Sequence, residues 1–464
     1  MSATSVEARI VRHLVGTRYE DLPAAVVQAT KDHLADTIGV AIGGSSAPGC
    51  KLLLDQLREW GGKEESSVLV YGGKLPDPSA ALVNGTMGHA RDFDDNHDTI
   101  AYKGSVAAVP AALAVAESLN INGRDLIAAV CLGIDLGCRL GLAIQPKPTH
   151  AFGRAIGCYG AAAAAGKAMA LDDEQMHNAL GLAHCEVGLG GISTAAPSLT
   201  KRLGVGIAAR SGVWAAQLAR RGYPASRDIF HGPSGYYALY EGQEGDLTEL
   251  VDALGQRFEV VTLGMKPYPT CRYTHGSIDA AMQIMREHRL MPRDVGAVTV
   301  RMTQRDYVTV GGSGNKTREQ ALRRPASVVD AQFSAFYTVA TAMVKGEVSL
   351  QHLSEGGLAD PEVLAMADRV NTVADERLQV RDRDVQPQSV EIATRGGERY
   401  TKQVDYPKGS PQWPMSPLER TNKYWDCIDH AAVPIDRHRA EEALDIIGNL
   451  ERLDKVSRLI AVLC

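Results

Sequence analysis

An Ala- and Gly-rich helical pattern runs from Val6 to about Met265 and constrains the fold more than any other feature of the chain. Apolar residues recur there at helical spacing, as Val27, Leu34 and Ile38 do. Gly makes up 46 of the 464 residues, above the usual share of roughly 7%, and nothing repeats at a fixed period. Small residues let helix axes approach closely. The pattern therefore predicts a compact helical bundle, with helices at 105–119, 125–142 and 155–170.

The pattern changes after Lys266. Residues 295–302 alternate like a half-buried strand, and residues 389–394 and 400–404 flank a turn like the arms of a hairpin. Helices are predicted at 277–288, 334–345 and 361–370, and the chain returns to helix after the proline-rich stretch 406–417. The predicted fold class is mainly α with an α+β second domain. A large all-helical domain is formed by both chain ends, residues 1–265 and 406–464, and a smaller α+β lid domain by residues 266–405.

Composition and charge narrow the classes of partner. Hydrophobic residues make up 45% and charged residues 22%, so a large core can form without metal or disulfide support. The net charge is −6 with no basic stripe, which argues against nucleic acid as a partner. Each apolar run meets a charge before the roughly 18 residues that span a bilayer, so no membrane segment is expected. The start lacks a secretory pattern and the eight cysteines form no CxxC pair, so a cytoplasmic protein with reduced thiols is expected.

The densest polar cluster is the acidic loop His89 to Asp98, GHARDFDDNHD with its preceding glycine. Its histidines and aspartates allow three interpretations: a divalent metal site, a carboxylate base beside a histidine, or a capped loop. The loop lacks the spacing of a calcium loop and of a zinc helix. Residue types alone leave the three open.

A second cluster is KPYPTCRYTH, residues 266–275. Its two prolines stiffen an extended backbone, which holds Lys266, Arg272 and His275 at set positions and suits the binding of a carboxylate. The alternative is a linker whose cations face solvent. Cys271 lacks any signature of a nucleophile.

A third candidate is the glycine run Gly188 to Gly191, followed by Ser198, Thr200, Lys201 and Arg202. Backbone amides beside two cations can hold an anion, although the run is neither a P-loop nor a dinucleotide-binding fingerprint. His150 stands alone ahead of a predicted helix, where a histidine is more often structural than catalytic.

In this order the segments resemble the 2-methylcitrate dehydratase (MmgE/PrpD) family, which also includes cis-aconitate decarboxylase and iminodisuccinate epimerase. The resemblance runs nearly end to end and is carried by YEDLPAAVVQATKDHLADTIGVAIGG, NGTMGHARDFDD, YGAAAAAGKAMALD, TKRL, ARRGYPASRDIFHGPSGY, KPYPTCRYTHGSIDAA, QFSAFYTVATAMVKG and YPKGSPQWP. It implies a helical domain from both termini with an α+β lid, a homodimer, an active site between the domains and no metal or other cofactor.

The resemblance also implies site residues, position by position. Asp92 matches the first acid of DFDD, His150 lies within one residue of an active-site histidine, and Lys201 matches the lysine of TK. A lid lysine and a pocket tyrosine match Lys266 and Tyr337. The predicted catalytic set is thus Asp92, His150, Lys201, Lys266 and Tyr337. Predicted substrate-binding residues are Tyr102, Lys103, Arg202, Cys271, Arg272 and His275.

Three positions depart from the family pattern. The histidine expected after DFDD is replaced by Tyr102 or Lys103, the threonine after DFDD by Asn96, and the histidine after TKRL by Gly204. Because two titratable groups are lost, the exact reaction stays open.

The resemblance implies a lyase that acts next to a carboxylate of a small di- or tricarboxylic acid. Its roles would be His150 as general acid or base, Asp92 as its partner and Tyr337 as donor to a leaving group or a carboxylate. A dehydratase on a methylcitrate-like substrate is the simplest reaction, and an epimerase or a decarboxylase in the same pocket are the alternatives. A non-catalytic polycarboxylate binder and a metal-dependent hydrolase are weaker hypotheses.

Overall fold

The N-terminal half of the chain forms a helical bundle. The computed structural model describes residues 5–100, 102–144, 153–188, 198–242 and 245–464. The helices of this half are α1 Val6–Gly16, α2 Ala24–Gly44, α3 Cys50–Trp60, α4 Asp77–His89, α5 Ser105–Leu119, α6 Gly123–Leu142, α7 Gly153–Ala168, α8 Asp173–Glu186, α9 Thr200–Arg220 and α10 Leu247–Val251. A two-residue antiparallel pair, β1 Ser66–Ser67 and β2 Lys74–Leu75, lies between α3 and α4.

Small residues bring the bundle helices into close contact, as the sequence predicts. A methyl group added at Gly133 of α6 would lie 2.6 Å from the Gly160 carbonyl of α7. One added at Gly212 of α9 would lie 2.4 Å from the backbone nitrogen of Ala162 in α7. Both distances are too short for any side chain, so these glycines set the distance between the helix axes.

The second part of the chain combines short helices with one sheet. Its elements are α11 His275–Glu287, β3 Val295–Met302, α12 Gln304–Val310, α13 Lys316–Arg323, α14 Val328–Gln332, α15 Ala335–Lys345, α16 Glu355–Leu358, α17 Pro361–Ala367, β4 Val370–Ala374, β5 Gln388–Thr394 and β6 Arg399–Val404. The strand order is β4-β3-β5-β6. β4 pairs with β3 in parallel, and the other two pairs are antiparallel.

The C-terminal segment returns to the bundle as α18 Pro417–Asp429, α19 Arg437–Gly448 and α20 Ser457–Ala461. One hydrophobic core collects residues between 10 and 263 and between 424 and 463. A second, separate core collects residues between 271 and 404. The predicted fold class, mainly α with an α+β part, is confirmed, and the domain boundaries at 265 and 406 stay a prediction.

Most predicted elements of the second part form where the sequence places them. The exception is the segment 361–370, predicted as one helix: α17 ends at Ala367, and Val370 already belongs to β4, where it pairs with Val298. Among the described helices, none has an apolar stretch long enough to cross a membrane.

Candidate active site

The acidic loop lies between the two cores and is held from both sides. Gln332, at the end of α14, donates a hydrogen bond from its side-chain amide to the Arg91 carbonyl at 2.6 Å. Lys423 of α18 donates to the Phe93 carbonyl at 2.8 Å. Between them Asp92 has φ +51°, a left-handed conformation that is uncommon for a residue other than glycine. Backbone strain of this kind concentrates at functional sites because the surrounding contacts impose it.

Asp92 contacts two lysines that are far apart in the sequence. The ammonium of Lys266, which follows the first core in sequence, lies 2.6 Å from Asp92 Oδ1 and 2.8 Å from the Asp92 carbonyl oxygen. The ammonium of Lys201, in the first turn of α9, lies 3.2 Å from the same Oδ1. Burial by itself raises the pKa of Asp92, but the charges of Lys201 and Lys266 outweigh it and hold that pKa well below its ordinary value. Asp92 is therefore an anion clamped by two cations.

His89 links a second carboxylate to Lys201. Its Nδ1 lies 2.8 Å from Asp94 Oδ2, and its Nε2 lies 2.9 Å from Lys201 Nζ. Burial lowers the pKa of His89, which Asp94 offsets only in part. The imidazole is thus neutral at pH 7, with its proton on the nitrogen that faces Asp94.

A second chain of contacts runs from Lys103 to the 266–275 segment. Lys103 Nζ donates to Asn96 Oδ1 at 2.5 Å, and Asn96 Nδ2 donates to Asp98 Oδ1 at 2.8 Å. Both oxygens of Asp98 also accept from Arg272, at 3.0 and 2.8 Å. Asn96, which replaces the expected threonine, is therefore the bridge between Lys103 and Asp98.

Arg272 also orients His275. Its Nη1 lies 3.1 Å from His275 Nδ1 and donates to the Lys408 carbonyl at 2.8 Å. Burial, reinforced by the Arg272 charge, holds the pKa of His275 well below its ordinary value. His275 is a neutral acceptor for the guanidinium, which is itself committed to Asp98.

A narrow cleft opens beside Asp92. One wall is polar and the other largely apolar; the lining residues are His89, Ala90, Asp92, Ser198, Lys201, Arg202, Val329, Gln332 and Phe333. Arg202 is 6% exposed, and its Nη1 has no hydrogen-bond partner among the described residues. A buried guanidinium without a partner is costly, so this position is prepared for an anion that enters the cleft.

Cations exceed carboxylates in and around this cleft. Among the described residues that line the cleft, Lys201 and Arg202 are cations and Asp92 is the one carboxylate, and Lys266 contacts that carboxylate. Burial and the neighbouring Lys266 charge lower the pKa of Lys103 to about 8, as expected where positive charges crowd together. The surplus favours a guest with more than one negative charge.

A metal ion fits this arrangement poorly. Among the described residues, His89, Asp92 and Asp94 offer ligand atoms within 4.8 Å of one another. However, the ammonium groups of Lys201 and Lys266 already lie against Asp92, in the place that a cation would take. Of the three interpretations of the acidic loop, the geometry favours a carboxylate beside a histidine.

Of the predicted site residues in the described part of the chain, Asp92, Lys201 and Arg202 line the cleft, whereas Tyr337 and Tyr102 lie in the two cores. The hydroxyl of Tyr337 lies 2.8 Å from the Gly357 carbonyl and 3.1 Å from that of His352, within the second core. Tyr102 is buried in the bundle with its hydroxyl against Gly137 and Gly160. At the position vacated by the family histidine, Lys103 rather than Tyr102 therefore faces the acidic loop.

The remaining predictions divide as follows. Cys271 is buried, and burial raises the pKa of its thiol to about 11, which opposes a role as nucleophile. His150 and most of the run Gly188 to Gly191 lie outside the described residues. No specific role was predicted for His89 from the sequence. The signal that could have identified it is its position at the end of α4, five residues before Asp94.

Comparison with known proteins agrees with the resemblance. A family model described as the MmgE/PrpD N-terminal domain matches residues 8–247, and one described as the MmgE/PrpD C-terminal domain matches residues 268–449. A cis-aconitate decarboxylase of Aspergillus terreus is 27% identical over 481 residues, covering 99% of this chain and 96% of its own. The cis-aconitate decarboxylase-like protein oryM of Aspergillus oryzae is 24% identical, with 99% and 97% covered. Human cis-aconitate decarboxylase is 24% identical, with 100% and 95% covered.

Proposed function

Because this chain belongs to the MmgE/PrpD family, we propose that it is a lyase that decarboxylates a small tricarboxylate of the cis-aconitate type. Relatives named as cis-aconitate decarboxylases match it over nearly their whole length and support this reaction. They favour the decarboxylase over the dehydratase that the sequence analysis puts first. Methylcitrate dehydration has no comparable support.

The observation that carries the proposal is Nη1 of Arg202, which is buried beside Lys201 at the cleft without a hydrogen-bond partner among the described residues. A carboxylate that enters would satisfy the guanidinium and would meet the ammonium of Lys201 nearby. Charge-assisted hydrogen bonds of this kind are about twice as strong as neutral ones. The polar wall therefore suits the carboxylates that the substrate keeps.

The apolar wall suits the carboxylate that leaves. Val329 and Phe333 line the side of the cleft that belongs to the second part of the chain. A carboxylate held against them would lose its hydration and would gain no hydrogen bond from either side chain, although Lys201 Nζ lies 5.6 Å from the Phe333 ring centroid. The lost hydration raises the ground-state energy of the carboxylate relative to neutral CO₂. The cleft thus offers different surroundings to different carboxylates of one guest.

The proposed reaction breaks one carbon–carbon bond and transfers one proton to the substrate. The carbon–carbon bond to the scissile carboxylate breaks, CO₂ departs and the electron pair stays on the substrate carbon skeleton. The ammonium of Lys201 then gives a proton to carbon, so that a C–H bond forms and an N–H bond breaks. The resulting amine recovers its proton from water.

The position of Tyr337 bears on the choice between dehydration and decarboxylation. Dehydration requires an acid to protonate the departing oxygen, and Tyr337 is the residue predicted for that role. Its hydroxyl is engaged by backbone carbonyls in the second core. Decarboxylation has no such leaving group and does not need this donor.

One experiment separates the candidate reactions. The purified protein is incubated in D₂O with cis-aconitate, 2-methylcitrate or citrate and followed by NMR, with Lys201→Met, purified identically, as the control for contaminating activity. We expect CO₂ release from cis-aconitate with one solvent deuterium in the product, unchanged after dialysis against a chelator. Water loss from 2-methylcitrate without CO₂ release, or deuterium exchange alone, would contradict the proposal.

The lowered pKa of Lys103 predicts that activity falls at alkaline pH. Its pKa is lowered to about 8, so the ammonium carries its charge below that pH and loses it above. We expect kcat/KM to fall above pH 8 by up to about tenfold per pH unit, because the free enzyme loses one cation. Lys103→Arg should move this decline to higher pH. A pH profile identical in wild type and Lys103→Arg would remove Lys103 from this role.

A further inference from the structure

The contacts of Lys201 with His89 and Asp92 leave at least one of its N–H groups able to point into the cleft. A lysine ammonium has three N–H donors. His89 Nε2 lies 2.9 Å from Lys201 Nζ in a hydrogen bond, and Asp92 Oδ1 forms an ion pair with the same ammonium at 3.2 Å. Among the described residues, no other hydrogen-bond acceptor contacts Lys201 Nζ, which lies 5.6 Å from the ring centroid of Phe333 in the cleft. The contacts with His89 and Asp92 therefore leave at least one N–H of Lys201 for a guest.

Asp94 determines that His89 acts as an acceptor. The Asp94 carboxylate lies 2.8 Å from Nδ1, and an ionised carboxylate can only accept a hydrogen bond. Despite its burial, contact with His89 holds the pKa of Asp94 below its ordinary value, so the carboxylate stays ionised. The imidazole proton is consequently kept on Nδ1, and the lone pair of Nε2 faces Lys201.

The chain of contacts is rigid as well as ordered. Asp94 is fully buried and His89 is 4% exposed. His89 is the last residue of α4, and Lys201 lies in the first turn of α9. Since α4 packs along α9, both donor and acceptor sit on elements of the same core.

We propose that His89, fixed in one tautomer by Asp94, is a positioning residue that aims the remaining N–H of Lys201 into the cleft and so sets the direction of proton delivery. The inference rests on the proposed function for the identity of the acceptor, a substrate carbon. The hydrogen-bond arrangement itself does not depend on that function. His89 acts through Lys201 and transfers no proton to the substrate.

Asp94→Asn is the variant that should move the proton of the His89 imidazole from Nδ1 to Nε2. An amide can present N–H to Nδ1 and so move the imidazole proton to Nε2, where it would face the ammonium donor to donor. The comparable change in a Ser-His-Asp triad leaves the geometry intact and lowers kcat severely. We expect Asp94→Asn to lower kcat about 100-fold, with KM changed less than about threefold because the cations that bind substrate remain.

Two further variants separate positioning from packing. His89→Gln keeps an acceptor oxygen near the place of Nε2 and should retain clearly more activity than His89→Ala. Adding Asp94→Asn to His89→Ala should cost nothing further, because Asp94 acts through the imidazole. Asp95→Asn is the matched control: Asp95 is buried in the same loop, but it accepts from Ser105 and does not contact Lys201. Its kcat should stay near the wild-type value.

Nitrogen-15 NMR of the imidazole reads the tautomer of His89 directly and does not need turnover. We expect His89 to be protonated on Nδ1 only, and on Nε2 in Asp94→Asn. An Nε2-protonated wild type, or equal losses of kcat from Asp94→Asn with and without His89, would overturn the inference. The expected tautomer without any decarboxylation would instead contradict the proposed function alone.

Discussion

Replacement of Lys266 with methionine is expected to lower kcat/KM by about a thousandfold. Lys266 is 1% exposed, and its ammonium contacts both the carboxylate and the carbonyl of Asp92. Removal of one preorganised charge-stabilising group from an active site typically costs about 2.7–4 kcal/mol of transition-state stabilisation, and about 4 kcal/mol corresponds to a thousandfold change. Without Lys266, Lys201 alone neutralises Asp92 and is less free to bind a substrate carboxylate.

Lys31 provides a matched control for Lys266. It is also a buried lysine, and its ammonium likewise binds one carboxylate, Glu451, and one backbone carbonyl, that of Gly448. Lys31→Met should therefore lower the melting temperature to a similar degree without changing kcat/KM. Activity is measured on folded protein, as judged by circular dichroism. Similar kcat/KM values in the two variants would show that Lys266 acts on stability alone.

Replacement of Arg202 with methionine is expected to raise KM about 30-fold with little change in kcat. A charge-assisted hydrogen bond to a carboxylate contributes about 2 kcal/mol, which corresponds to about this factor. The same change should leave the melting temperature unchanged or higher, because Nη1 of the guanidinium is buried without a hydrogen-bond partner among the described residues. Opposite effects on binding and stability are the signature of a residue kept for its ligand.

Arg210 lies on the same helix and provides the control for Arg202. Its side chain is 45% exposed and pairs with Glu186 at 3.6 Å, an interaction that is worth little at a surface. Arg210→Met should leave KM at the wild-type value. If Arg202→Met also leaves KM unchanged, or lowers kcat alone, the guanidinium does not hold a substrate carboxylate.

Much of the fold could be predicted from local sequence patterns. The helix at 105–119 and the strand at 295–302 have the predicted bounds, because each pattern is long and regular. The strand β4, by contrast, covers only Val370–Ala374, directly after a short helix. Its structure depends on parallel pairing with β3, about 70 residues earlier, and a pairing of this kind leaves little trace in a five-residue segment.

The charged residues of the site could be predicted from the sequence better than its tyrosine and histidine residues. Three of the predicted residues, Asp92, Lys201 and Lys266, come from motifs that are far apart in the sequence. The ammonium groups of both lysines lie within 3.2 Å of Oδ1 of Asp92. A motif locates a residue but not the direction of its side chain. Tyr337 therefore faces the second core, whereas Phe333, four residues earlier, lines the cleft. His89 could be recognised only once α4 and α9 were seen to pack together.

The binding of an unreactive tricarboxylate tests the central claim most directly. Tricarballylate has three carboxylates but neither a double bond nor a hydroxyl group, so calorimetric titration measures recognition without turnover. We expect binding that weakens with salt, persists in Lys31→Met and Arg210→Met, and is weakened about 30-fold or more in Lys266→Met and Arg202→Met. Equal affinity in all of these variants, or no affinity in the wild type, would contradict a cationic cleft built from both parts of the chain.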